Sequence, residues 1–150
     1  MTASRSVLIL NGPNLNLLGT REPSIYGTAT LSDIEAACHS RGLEHGFSVD
    51  FRQSNHEGEL IEAIHSALGQ HVAVIINAGA YTHTSVAIHD ALRMVDVPIM
   101  EVHLSNPHQR ESFRHQSFIA PVATGLICGL GQQSYLLAID AVASLLDKGE

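Results

Sequence analysis

The chain has 150 residues, about the size of one domain, and nothing in it argues for two, so it is read as a single domain over 1–150. A net charge of −7, with 8 Lys+Arg against 15 Asp+Glu and no basic stretch, disfavours nucleic-acid binding but leaves an anionic small molecule open, because local geometry can override net charge. The 45% apolar share supports a proper core, and a charged share of only 15% suggests that some surface is buried against another molecule. The absence of Trp and the scarcity of aromatics point to a core of Val, Ile, Leu and Ala, as covered parallel sheets prefer.

The apolar runs are too short for a signal sequence or a membrane span, and two cysteines, Cys38 and Cys128, make no disulfide framework. A reducing, cytoplasmic compartment is expected. Along the chain, Val7–Leu10 is a continuous apolar run, the mark of a strand buried on both faces. It breaks at Asn11-Gly12-Pro13-Asn14 into a loop that closes near Gly27. Thr30 with Asp33 predicts a capping box opening a helix to about His45, with Gly46 beyond its end. Phe47–Gln53 alternates as a second strand. Ser54 with Glu57 is a second capping-box pattern, opening a helix to Leu68.

Val72–Ile76 reads as the third strand, ending at Asn77, and a helix follows from about Thr84 to Met94. Val97–His103 carries the fourth strand, and the stretch from Ser105 to His115 is polar. Gly125–Leu130 is the fifth strand and Gln132–Leu146 the last helix. Strands alternating with helices imply βαβ units with right-handed crossovers. The expected class is α/β: a flavodoxin-like three-layer sandwich around a five-stranded parallel sheet, with ligands outside the carboxyl ends of the strands.

Those ends are polar. Strand one finishes in Asn11 and Asn14, strand three in Asn77, strand four in Glu101 and His103. Any single Asn there suits a turn, but three such ends brought together by the fold favour a ligand site. Glu101 and His103 are two apart on a strand, so they leave the same face. A carboxylate beside an imidazole fixes its tautomer and makes the ring a candidate proton donor near neutral pH. A surface ion pair is the alternative. Tyr26 lies on the first long loop, a kind of segment that is often functional. A phenol titrates near pH ~10 and needs a cation to act as a base. Arg21, on the same loop, could supply it, although loop tyrosines are more often packing residues.

The ten His form no metal framework: neither His-Glu-x-x-His nor a Cys/His pattern is present. No Gly-x-Gly-x-x-Gly or phosphate loop follows strand one, so no cofactor is expected. A flavin- or nucleotide-binding module on the same fold, and an assembly scaffold, stand as rival readings.

With these residues placed, the chain resembles the type II 3-dehydroquinate dehydratases nearly end to end. The resemblance rests on four segments in order: Leu10 to Pro23 with Tyr26-Gly27; Gln53 to Gly58; Ile76 to His83; and Glu101 to Asn106 with Arg110-Glu111 and Phe113-Arg114. It implies removal of water from 3-dehydroquinate to give 3-dehydroshikimate through an enolate, without cofactor. Tyr26 would be the base, Arg21 its cationic partner, and Asn14 the holder of a water at the enolate. His103, held by Glu101, would protonate the leaving hydroxyl. Asn77 and the backbone N–H groups of Leu104 and Ser105 would meet the substrate carboxylate, and His83 and Arg114 the ring hydroxyls. Asp90 would reach a neighbouring subunit's site in a homo-oligomer, a dodecamer of trimers. His89 stands where the family often has Arg, which affects how Asp90 is paired.

Overall fold

In the computed structural model, which describes residues 5–20, 22–26 and 28–148 with the backbone alone at Pro23 and Tyr26, five strands form one parallel sheet. They are β1 (Arg5–Asn11), β2 (Phe47–Gln53), β3 (Ala73–Asn77), β4 (Ile99–His103) and β5 (Gly125–Cys128), ordered β2-β1-β3-β4-β5. The flavodoxin-like order expected from the sequence is therefore present. The chain steps from β1 out to β2 and returns past β1 to β3, so the strand order reverses between β1 and β3.

The two-residue alternation of the strands divides the core into two layers. Val7, Ile9, Ile75, Met100 and Val102 pack under α2 (Leu31–Glu44) and α5 (Gln132–Lys148). Leu8, Leu10, Val74, Ile76 and Ile99 pack under α3 (Glu57–Ser66) and α4 (Val86–Arg93). The inner strands β1, β3 and β4 are buried on both faces, which is why they read as unbroken apolar runs. Each fully buried aliphatic side chain contributes roughly 1.5–3 kcal/mol. Edge strands β2 and β5 are only partly covered.

Helix starts show where local signals suffice. Thr30 accepts from the Asp33 N–H and Asp33 from the Thr30 N–H, the reciprocal cap expected for α2. The second capping box does not form. Ser54 instead donates to Glu59, and the Glu57 carboxylate accepts from Ser85, the N-cap of α4. A partner 28 residues away outcompetes the local one, and α3 begins only at Glu57.

The other boundaries move by a few residues. β4 begins at Ile99 rather than Val97, β5 ends at Cys128, and α4 begins at Val86. The segment after β1 is not a featureless loop. It carries a 3-10 turn at Leu15–Leu17 and a single helical turn, α1 (Pro23–Tyr26). No helix among the described residues is long and apolar enough to cross a membrane.

Candidate active site

The segments that follow β1, β3 and β4 line an open cleft, about 590 Å³ with solvent outside its mouth included, at the carboxyl end of the sheet. Its walls include Asn14, Asn77, His83, His103, Leu104, Ser105 and Arg114. Seven of the residues singled out from sequence therefore share one cavity, at the point where the strand order reverses.

Close backbone approach sets its floor. Gly12 donates its N–H to the Asn77 carbonyl at 2.8 Å, and a Cβ on Gly12 would lie 2.2 Å from the Ala78 carbonyl oxygen. Only glycine lets the segments after β1 and β3 meet so closely. Two residues on, Asn14 has φ 70°, the left-handed region that Asn tolerates better than most residues. Its N–H donates to Asn55 Oδ1 at 3.0 Å. Gln53 Nε2 donates to the Gly12 carbonyl at 3.1 Å, and the Tyr81 hydroxyl donates to the Asn55 carbonyl at 2.9 Å. The segment after β2 thus braces the one after β1.

His103 lines the same cleft, and Glu101, which does not line it, is buried beside the ring. Glu101 is 1% exposed, and its Oε2 accepts from His103 Nε2 at 2.6 Å and from Ser117 Oγ at 2.9 Å. An ionised carboxylate only accepts, so the ring proton between them sits on Nε2 and leaves Nδ1 for exchange with a ligand. Ser117 is itself oriented, since its Oγ accepts from the Ile119 and Ala120 N–H groups at 3.0 Å each. Glu101 Oε1 has no hydrogen-bond partner among the described residues. The pair is a buried dyad, not the surface ion pair that two residues on a strand could equally have formed.

His83 donates from Nδ1 to the Gln116 carbonyl at 2.7 Å, which leaves Nε2 as an acceptor. Burial pushes its pKa below the usual histidine value; the bond to Gln116 opposes this, and the charges of His103 and Arg114 add to it. His83 is therefore a neutral acceptor beside a cationic wall. Arg114 lies over the Phe113 ring at 4.9 Å and bonds Glu111 through Nε at 3.2 Å. Arg110 also lines the cleft and approaches Glu22, on the segment after β1, at 3.9 Å.

The other expected residues fall into two groups, those outside the described residues and those placed elsewhere in the fold. Arg21 and Gly27 lie outside the described residues, and Tyr26 is described only as the last backbone position of α1. Asp90 is exposed on α4 and does not line the cleft; its neighbour His89 donates to the Phe118 carbonyl at 2.7 Å. Asn11, expected at the strand end as a ligand group, is fully buried and bonds inside the protein instead. Sequence reasoning assigned no role to Arg110, Asn55 or Ser117. The first two sit in segments already singled out, but nothing local marks Ser117, whose partner is 16 residues away.

Comparison with known proteins agrees with this arrangement. A family model described as dehydroquinase class II matches residues 5–143. The 3-dehydroquinate dehydratase of Ruegeria pomeroyi is 60% identical over 141 residues, covering 94% of this chain and 95% of the relative. That of Streptomyces avermitilis is 55% identical over 148 residues, covering 98% and 93%. The crystal structure of type II dehydroquinase from Propionibacterium acnes superposes with a TM-score of 0.91 at 43% identity, covering 96% of this chain and 99% of that one. Matched by the family model over most of its length, by these relatives in sequence and by a solved structure in fold, the chain belongs to the class II dehydroquinase family.

Proposed function

We infer that this chain is a lyase, a 3-dehydroquinate dehydratase that removes water from 3-dehydroquinate to give 3-dehydroshikimate through an enolate. The observation that carries the reading is the buried Glu101–His103 dyad, which stands across the cleft from the segment after β1 in a member of this family. The step serves aromatic amino acid biosynthesis or quinate breakdown, since both pass through it.

The C2 proton of the substrate is acidified by the neighbouring ketone. Tyr26, as phenolate with Arg21 as its cationic partner, takes that proton, and the C–H electron pair moves into the enolate. The new negative charge develops on an already anionic substrate, so oriented donors must wait where it appears. Asn14 holds a water there. The enolate then collapses, the C1–O bond breaks, and His103 gives a proton to the departing hydroxyl, which leaves as water. Glu101 stabilises the imidazolium before that transfer and fixes the ring afterwards. Asn77 and the N–H groups of Leu104 and Ser105 bind the carboxylate, while His83 and Arg114 bind ring hydroxyls. These steps need no metal or cofactor.

The same reading makes the enzyme a cytoplasmic homo-oligomer, a dodecamer of trimers. The low charged fraction supports burial between copies, as do exposed apolar side chains such as Phe113 at 62% and Met94 at 64%. Asp90, exposed on α4, would reach a neighbouring copy's cleft, and light scattering measures the assembly. The chemistry is tested by incubating pure protein with 3-dehydroquinate and a chelator and following the conjugated enone by absorbance. Steady product formation is expected; no absorbance change at micromolar enzyme would sink the reading.

A further inference from the structure

The orientation of the Asn77 amide is set from outside the cleft. β1 and β3 pair in a register that places Asn11 directly beside Asn77. By alternation both share the face of Ile9 and Ile75, which packs under α5. Tyr135, on the first turn of α5, is 0% exposed and sets its hydroxyl between the two amides. Asn77 Nδ2 donates to that hydroxyl at 3.0 Å, and the hydroxyl donates to Asn11 Oδ1 at 2.6 Å. Asn11 Nδ2 in turn donates to the Arg52 carbonyl at 3.0 Å.

The chain of bonds has one consistent polarity. A carbonyl can only accept, so Asn11 presents its nitrogen to Arg52 and its oxygen to Tyr135. The phenol must then give its only proton to Asn11, leaving a lone pair for Asn77. Asn77 therefore presents its nitrogen to Tyr135. From the other side, the Gly79 N–H donates to Asn77 Oδ1 at 3.2 Å and imposes the same orientation. One N–H of Asn77 is committed to Tyr135, and the second remains for the cleft that Asn77 lines. Burial pushes the Tyr135 phenol well above its usual range, against the opposing bond from Asn77, so the relay stays neutral.

We propose that Tyr135 is a positioning residue for substrate binding: through the Arg52–Asn11–Tyr135 chain it holds the Asn77 amide with a free N–H toward the substrate carboxylate, without touching the substrate. The proposal rests on the reading of Asn77 as a carboxylate ligand. A phenol that merely fills the core would affect stability alone, whereas a positioning phenol sets affinity. A remote carboxylate contact is made alike in ground and transition states, so its loss raises KM and spares kcat.

The test is steady-state kinetics with 3-dehydroquinate on Tyr135→Phe, Asn77→Ala, Asn11→Ala and the Tyr135→Phe/Asn77→Ala double variant, far below each Tm. Tyr135→Phe is expected to raise KM about tenfold with kcat within threefold, as loss of one oriented hydrogen bond does. The double variant should be no worse than Asn77→Ala alone. Asn11→Ala, which keeps the phenol but removes its acceptor, should raise KM by a smaller factor, and it carries the test if Tyr135→Phe does not fold. A normal KM in Tyr135→Phe and Asn11→Ala beside a raised KM in Asn77→Ala would overturn the proposal and leave the Asn77 reading intact. A normal KM in Asn77→Ala would overturn both.

Discussion

On the β4 side of the cleft, Glu101 and His103 stand on a strand paired along both edges, with the carboxylate buried and gripped by Ser117. On the β1 side, Asn14 and the backbone of Tyr26 stand on a segment of short turns, with left-handed residues at Asn14 and Glu22 and braces borrowed from Gln53 and Asn55. In the proposed mechanism the acid half is built from ladder and core, and the base half from loop geometry. The difference suits the two tasks. A group that must hold a proton at a set angle gains from a rigid strand, whereas connecting segments commonly carry the binding groups that a rigid scaffold positions. Arg110 reaches from one half to Glu22 on the other.

The largest expected effect comes from disabling the rigid half without unfolding it. Glu101→Gln should lower kcat about a hundredfold, in the range ascribed to general acid catalysis, with KM little changed. Its stability should hold or rise, because a buried carboxylate with one oxygen lacking a partner among the described residues is costly to the fold. Parallel kinetics and calorimetry check this, and a stability loss in step with activity would make the dyad structural.

A smaller effect is expected on the loop half. Asn55→Ala removes the acceptor of the Asn14 N–H and should lower kcat/KM about tenfold, the equivalent of about 1.4 kcal/mol, with Tm little changed. If the segment after β1 held itself, activity would not move.

The smallest concerns His83 and pH. Its folded pKa lies below the unfolded value of about 6.5, chiefly through burial. As pH falls through that unfolded value, the unfolded chain takes up the proton first, so stability is complete above it and declines toward the lower folded pKa. The half-buried site is screened by solvent, so the decline is slight. A His83→Asn variant should lack it in melting curves between pH 7 and 5; an unchanged decline would assign it to other groups.

What could be read from the sequence follows the range of the interactions. Strands β1, β3 and β4 and the Thr30 cap were legible because burial on both faces and a four-residue box write themselves locally. The Ser54–Glu57 box was misread because Glu57 bonds Ser85 instead. The spacing of Glu101 and His103 put them on one face of a strand but left a surface ion pair open, which their burial decides. Asn11 and Asn77 looked alike at two strand ends, yet Asn77 lines the cleft while Asn11 serves the buried relay. Nothing local separates them, since the distinction depends on a phenol 124 residues from Asn11. Ser117 escaped for the same reason.

The division of the cleft into a base on the loop and an acid on the strand is tested most directly by proton exchange at C2 of the substrate. In D2O, NMR would follow deuterium entering 3-dehydroquinate with Tyr26→Phe and with His103→Ala at high enzyme concentration. The account predicts that His103→Ala still exchanges the C2 proton while forming almost no 3-dehydroshikimate, and that Tyr26→Phe does neither. Exchange retained by Tyr26→Phe and lost in His103→Ala would contradict it, placing the base on β4.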